Sequence, residues 1–180
     1  VSALMSVDEA LRQLLAMART APLTGCERLL LRQSDGRVLA EDLRAAIDLP
    51  PWTNSAMDGY AMRREDLAAQ PLPVSQTVFA GQVPAPLLAG SCARVFTGAP
   101  VPGGADCVQL QENCMIDAQG RVSVMTDLRV GDNIRLQGNE IRAGALLLAA
   151  GTVLDPIALG VLASQGITQV SVWRRPRVAL

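Results

Sequence analysis

The chain contains no histidine and no lysine; all 16 of its basic residues are arginine. Without imidazole there can be no Ser-His-Asp triad, no Cys-His pair and no histidine metal site within these residues. Without a lysine amine there is no Schiff base and no P-loop lysine. Acid–base work falls to Asp, Glu, Tyr or Cys. Aromatics are scarce: two tryptophans, two phenylalanines and one tyrosine in 180 residues. No run of about 18 apolar residues occurs, the length a membrane-spanning helix needs. Residues 1–5 lack the basic start and long apolar core of a signal peptide, so a cytoplasmic location is expected. The four cysteines, Cys26, Cys92, Cys107 and Cys114, form no C-x-x-C pair, which argues against a zinc cluster. They read as free, buried thiols in a reducing compartment, with no base to activate them. A net charge of −1 gives nucleic acid or an anionic membrane no electrostatic hold.

What is present is apolar material, 49% of the residues, enough for one large domain or two small ones. Ser6-Val7-Asp8-Glu9 reads as a capping box ahead of an amphipathic helix that carries Val7, Ala10, Leu11, Leu14, Leu15 and Ala18 on one face and stops before Pro22. That face must dock on something. Glu27 to Leu31 reads as a strand, and Arg37 to Glu41 as one or two turns of helix capped by Ser34 or Asp35. From Tyr60 to about Arg142, short apolar runs alternate with Gly/Pro turns: Val74–Ala80, Cys92–Phe96, Asp106–Leu110, Val122–Met125 and Asn133–Leu136. That spacing predicts a β domain, barrel or sandwich. Ala143 to Leu148 reads as a further strand. Asp155-Pro156 caps a helix running to Ser164, Gly166 ends it, and Ile167 to Trp173 is the last strand. Arg177 to Leu180 reads as the opening of another buried strand, cut short.

Three stretches could carry chemistry. Pro50-Pro51-Trp52-Thr53-Asn54-Ser55-Ala56-Met57-Asp58-Gly59-Tyr60-Ala61 groups a carboxylate, an amide and hydroxyls in a proline-stiffened loop. It reads either as a site or as an ordered turn whose Asn54 and Ser55 bond their own backbone, with Asp58-Gly59 as a hairpin corner. In Arg94 to Asp106, a strand ends at Thr97 in a Gly/Pro loop. Its amides and Thr97 hydroxyl could bind an anion, or the loop could simply be a wide hairpin. In Gly131 to Gly144, Arg135 and Arg142 could pair phosphate and Glu140 could hold a metal or polar ligand; the alternative is a solvated edge with compensating charges. Glu112 reads as a lone surface carboxylate.

Taken in order, Asn54-Ser55-Ala56-Met57-Asp58-Gly59-Tyr60-Ala61, Thr97-Gly98-Ala99-Pro100-Val101-Pro102, Asn133-Ile134-Arg135 with Gly138, Leu162-Ala163-Ser164-Gln165-Gly166-Ile167 and Arg175-Pro176-Arg177-Val178-Ala179 resemble the molybdopterin molybdenumtransferase family (MoeA and the E domain of gephyrin). The resemblance runs over essentially the whole chain. It implies an α+β fold with an inserted all-β subdomain, elongated and truncated before a molybdopterin-binding α/β domain. Residues 1–26 would be a helix that packs on the missing third subdomain. Residues 27–46 and 142–175 would form the α+β dimerisation subdomain, 47–141 the inserted β-rich subdomain, and 176–180 the start of the truncated one. The implied activity is insertion of molybdate into adenylated molybdopterin with Mg²⁺, completing molybdenum cofactor and releasing AMP. The active cleft would lie between subunits of a homodimer, with molybdopterin adenylyltransferase as upstream partner. The same fold could instead serve as a non-catalytic dimeric scaffold or protein-interaction module.

Asp58 and Thr97 fall on family active-site positions. Glu140 stands where the family usually has aspartate, one methylene shorter, and completes the expected catalytic set. Asn54, Ser55, Gly98 and Arg135 are the expected substrate-binding residues; the metal ligands are left unassigned. Molybdate is a dianion and a bare carboxylate repels it. Asp58 is therefore expected to act through Mg²⁺ or by hydrogen bonding to the pterin, and Thr97 with nearby amides to touch an oxyanion.

Overall fold

The structure, a computed structural model, describes residues 5–20 and 25–176. In chain order the elements are α1 (Val7–Thr20), β1 (Cys26–Leu30), β2 (Leu43–Arg44), β3 (Asn54–Ser55), β4 (Gly59–Met62), β5 (Val74–Val78), β6 (Cys92–Val95), β7 (Cys107–Leu110), β8 (Cys114–Ile116), β9 (Val122–Val124), β10 (Ile134–Arg135), β11 (Leu146–Leu148), α2 (Pro156–Ser164) and β12 (Gln169–Trp173). They fall into two compact units, one made of the chain up to Arg44 and from Leu146 onward, the other of Ala45–Ala145. Helix and sheet mix in the first. The second holds strands and short 3-10 turns, with no α-helix among its residues.

In the first unit β1 pairs antiparallel with β12, and β2 with β11. Leu39, Leu154, Ala158, Leu162, Val170 and Val172 form the core. Helix α2 starts as its sequence dictates: the Asp155 carboxylate accepts the Ala158 amide at 2.7 Å and proline follows at the first helical position. Gly160 lies exposed within α2, with no atom within 4 Å of the place a Cβ would occupy. Gly160→Ala should therefore stabilise this unit by about 0.5–1 kcal/mol, read as a higher thermal midpoint.

Helix α1 forms, and the Glu9 amide donates to Ser6 Oγ at 3.3 Å. The reciprocal half of the capping box is not made: the Glu9 carboxylate pairs with Arg12 and accepts from Gln13. None of the helix is buried; Val7, Leu11, Leu14, Leu15 and Met17 are all exposed. Its expected stop at Pro22, and the strand start at Arg177–Leu180, lie outside the described residues.

Two local expectations fail here. Residues 37–41 are not helical: Val38 bridges to Val153 and Leu39 to Val172, and a bend follows at 40–41. The 3-10 turn sits earlier, at Leu31–Gln33, because Leu39 is fully buried against β12 and the sheet claims its backbone. The strand expected from Ala143 begins only at Leu146: Gly144 has a φ of 84° inside a turn that the Ala145 amide closes on Arg142 O.

The second unit is built on a four-stranded sheet in the order β5-β6-β4-β7. Two smaller antiparallel pairs, β8 with β9 and β10 with β3, complete the unit. Strand β4 runs antiparallel to both neighbours, and β5 is parallel to β6. Side chains alternate across it. Tyr60, Met62, Cys92, Cys107 and Leu72 pack on one face, and Ala61, Ala93, Val95, Val78 and Val108 on the other. With both faces covered, every residue of β4 is buried. The Pro50–Ala61 stretch is thus only partly loop: it contains β3, and its last three residues open a central strand.

Burial pushes the Cys92 and Cys107 thiols up to about 12 and Cys114 to about 11, so all three are inert packing groups at neutral pH. Cys26 departs from the expectation of burial. It lies exposed at the start of β1, an outer strand of a two-stranded sheet.

Candidate functional site

Asp58 precedes the buried strand β4, so its backbone is fixed by the strand that follows. The Gln111 amide donates to Asp58 O at 3.1 Å and fastens it to the end of β7. Thr97 follows the end of β6, the strand on the other side of β4. The Thr97 amide and the Thr97 hydroxyl both donate to Asp58 Oδ1, each at 2.7 Å. Residues 39 positions apart in the chain thus meet because β4 and β6 pair side by side with Gly59 opposite Val95. Those two donors hold the Asp58 carboxyl below its usual range, with the Arg94 guanidinium adding to the effect.

This changes one expectation. Thr97 was to offer its hydroxyl and amide to an oxyanion; both are already given to Asp58, leaving Asp58 Oδ2 as the open atom. Gly98 sits third in the turn that the Ala99 amide closes on Phe96 O at 2.9 Å, with a φ of 81° that glycine adopts without strain. Its amide donates to Ser55 O at 2.9 Å, which ties the two loops together.

The other expected residues are placed as follows. Ser55 is fully buried, and its hydroxyl donates to Met57 O, so it locks the loop. Asn54 is buried too. Its Nδ2 donates to Trp52 O at 3.3 Å, while Oδ1 has no partner among the described residues. Arg135 lies opposite Asn54 across the β3–β10 pair, with its side chain exposed. Glu140 is exposed; its amide donates to Leu49 O at 2.9 Å. No hydrogen bond or ion pair joins its carboxylate to Asp58 or Thr97. Asp58, Thr97, Gly98 and Ser55 therefore meet directly, Asn54 and Arg135 join through β3, and Glu140 stands apart.

Sequence reasoning gave no role at the site to Arg94, Phe96 or Glu112. Arg94, directly opposite Tyr60 on β6, donates to Gly59 O at 3.2 Å and to Gln111 Oε1. Phe96 is two residues further along the same face, so alternation along the strand was the available signal. Glu112, read as a lone carboxylate, follows the end of β7 and shares the field of Asp58 and Arg94; hydrogen bonds from its own amide and from Gln111 hold it below the usual carboxyl range. Asp48 anchors the third stretch: it accepts from the Ala143 amide and from Gln137 Nε2, both at 2.8 Å, which lowers its pKa.

Asp48, Asp58 and Asp117 are all depressed from the ordinary 3.8. Each binds its proton less readily folded than unfolded, so each adds stability that is complete above about pH 5 and is lost as pH falls through the lowered values. The denaturant midpoint of the β-rich unit should drop between about pH 5 and pH 3, and Asp58→Asn should flatten that slope. A slope identical in the variant would mean the Thr97 hydrogen bonds do not form in solution.

Among the described residues no three His, Cys, Asp or Glu side chains gather in a metal-holding group, and no helix is long and apolar enough to cross a membrane. Over residues 5–166 the chain matches the family described as MoeA N-terminal region (domain I and II). The chain belongs to the MoeA family. It is 40% identical to the molybdopterin molybdenumtransferase of Synechococcus elongatus, an alignment covering 98% of this chain and 45% of that protein. To the molybdopterin molybdenumtransferase of Nostoc sp. it is 42% identical, over 82% of this chain and 35% of that one. A crystal structure of the molybdopterin biosynthesis MoeA protein from Pyrococcus horikoshii superposes with a TM-score of 0.82 at 32% identity, over 97% of this chain and 47% of that chain. The chain thus spans less than half the length of these MoeA relatives, and the family match falls on their N-terminal region.

Proposed function

We propose that this chain is the N-terminal part of a molybdenum insertase, which places molybdate on the dithiolene of adenylated molybdopterin and releases AMP. The observation that carries the reading is the Asp58–Thr97 pair, an ionised carboxylate with one oxygen fixed by two donors and the other open. It supports a role in holding substrate. A dianionic molybdate is repelled by this carboxylate, and the Thr97 donors are spoken for. The open oxygen suits an N–H donor on the pterin. Glu140 and Arg135 belong to the same reading, Glu140 as a charge at the margin and Arg135 as an exposed cation for phosphate. Asn54, with its unpartnered Oδ1, is a further acceptor.

Mg²⁺ favours one or two carboxylates together with substrate phosphates. Among the described residues no group of three such ligands gathers, so a bound Mg²⁺ would be held largely by the substrate's diphosphate, and no step here depends on it. The chain supplies one wall of an active site completed by a partner subunit in a cytoplasmic homodimer, downstream of molybdopterin adenylyltransferase. The test is molybdenum transfer to adenylated molybdopterin by the full-length protein and by this chain alone. Transfer by the full-length protein and a loss of at least about 100-fold in the chain alone are expected. Equal activity would remove the shared wall.

A further inference from the structure

Three of the few aromatic rings in this chain gather beside Asp58. The Phe79 and Phe96 rings stack with centroids 4.8 Å apart and planes 8° from parallel. The Arg94 guanidinium carbon lies 4.8 Å from the Phe96 centroid and 5.1 Å from that of Tyr60. The group runs from core to solvent: Tyr60 is 6% exposed, Arg94 and Phe96 are half-buried, and Phe79 is 50% exposed.

Phe79 belongs to neither core cluster of its unit. Its place is nonetheless fixed. The Phe79 amide donates to Gln82 Oε1 at 3.0 Å, and the Gln82 amide returns a bond to Phe79 O at 3.2 Å. The following residue lies against the Thr97–Gly98 turn, since a Cβ on Gly98 would meet Ala80 Cβ at 4.0 Å. An exposed aromatic ring held rigidly at a site loses little entropy when a ligand covers it.

We propose that Phe79 and Phe96, backed by Arg94, form a stacking platform for the flat 2-amino-4-oxopyrimidine ring of a pterin, whose edge donors are taken by Asp58 and Glu112. The assignment rests on the molybdopterin chemistry proposed for the same site. Base–aromatic stacking needs a flat π face and tolerates many rings, so the platform alone does not choose its occupant. The rim does. Asp58 Oδ2 and the Glu112 carboxylate are anionic acceptors, and both feel the charge of the Arg94 guanidinium that lies over the Tyr60 and Phe96 rings. A 2-amino-4-oxopyrimidine presents adjacent N–H and NH₂ donors, the same fork a guanidinium offers a carboxylate. Adenine presents an amino group beside ring acceptors, which two carboxylates oppose. The pterin, and not the adenine, of adenylated molybdopterin is therefore the occupant.

The test titrates the full-length protein with free pterin, followed by pterin fluorescence, and with AMP, followed by calorimetry. Phe79→Ala should weaken pterin binding about tenfold, the loss expected for one stacking partner. AMP binding should not change, Phe79→Tyr should restore pterin binding, and KM for adenylated molybdopterin should rise while that for molybdate stays put. If Phe79→Ala does not fold, Phe79→Leu keeps the volume without the π face and is read the same way. Unchanged pterin affinity in these variants overturns the platform, as does a loss of AMP affinity in place of pterin affinity. The two readings separate cleanly. Pterin binding that depends on Phe79 in a full-length protein without transfer activity keeps the platform and removes the insertase. Normal transfer by Phe79→Ala with unaltered pterin affinity does the reverse.

Discussion

Replacing Asp58 with asparagine should leave the β-rich unit folded and lower kcat/KM for adenylated molybdopterin on the order of 100-fold in the full-length protein. The substitution separates charge from geometry. An amide oxygen at position 58 can still accept from the Thr97 amide and hydroxyl, which both now converge on Asp58 Oδ1 at 2.7 Å. The turn and the end of β4 therefore keep their hold. What changes is the open side, where a charged acceptor becomes a neutral donor. A substrate N–H that met a carboxylate now meets an NH₂ group, losing a charge-assisted bond and gaining a clash of donors. Thr97→Val is the companion variant. It removes the hydroxyl bond and keeps the amide bond, so the carboxylate stays ionised but less firmly aimed, and the loss should be nearer tenfold. Turnover in Asp58→Asn equal to that of the unsubstituted protein would make the pair a turn lock with no part in the reaction.

How much of this was legible in the sequence depends on how local each signal was. Helix α2 was fully written in its own residues, from the Asp155 cap and Pro156 to Gly166 at a φ of 72°. Most strands of the β-rich unit could be placed from turn spacing. Strand β4 could not. Its four residues are all buried, including a glycine, so it shows no alternation and follows a loop without a break. Val38 and Leu39 were misread as helical because their bridges are to Val153 and Val172, more than 100 residues on in the chain. The site divides in the same way. Asp58 and Thr97 stood out by motif. Arg94, Phe79 and Glu112 did not, because only the strand order β5-β6-β4-β7 brings the ends of three separate strands beside Asp58. Glu140 was read by analogy of position, and its neighbourhood is organised by Asp48 instead.

The same strand order makes Gly59 the most sensitive position in the unit. Gly59 pairs with Val95 on one side and Leu110 on the other. A Cβ there would lie 1.8 Å from Gln109 O, 2.8 Å from Gln109 C and 3.2 Å from Leu110 Cα. All three are backbone atoms of the neighbouring strand, so no rotamer change relieves the contact. The β4–β7 pairing must open, at a cost of about 3 kcal/mol or more. Gly59→Ala should lower the unfolding free energy by that amount, read as a lower denaturant midpoint with the slope unchanged, whereas Gly103→Ala, where nothing lies within 4 Å, should stay within about 0.5 kcal/mol. A normal midpoint in Gly59→Ala would mean β7 does not approach β4 as described. The variant also reports on function. Asp58 is the next residue, fastened to Gln111 at the end of β7, so opening that edge moves the carboxylate away from Thr97. Transfer by the folded fraction should fall although Asp58 and Thr97 are intact. Adding Asp58→Asn to Gly59→Ala should then lower it little further, because both changes remove the same placed charge and their effects cannot add.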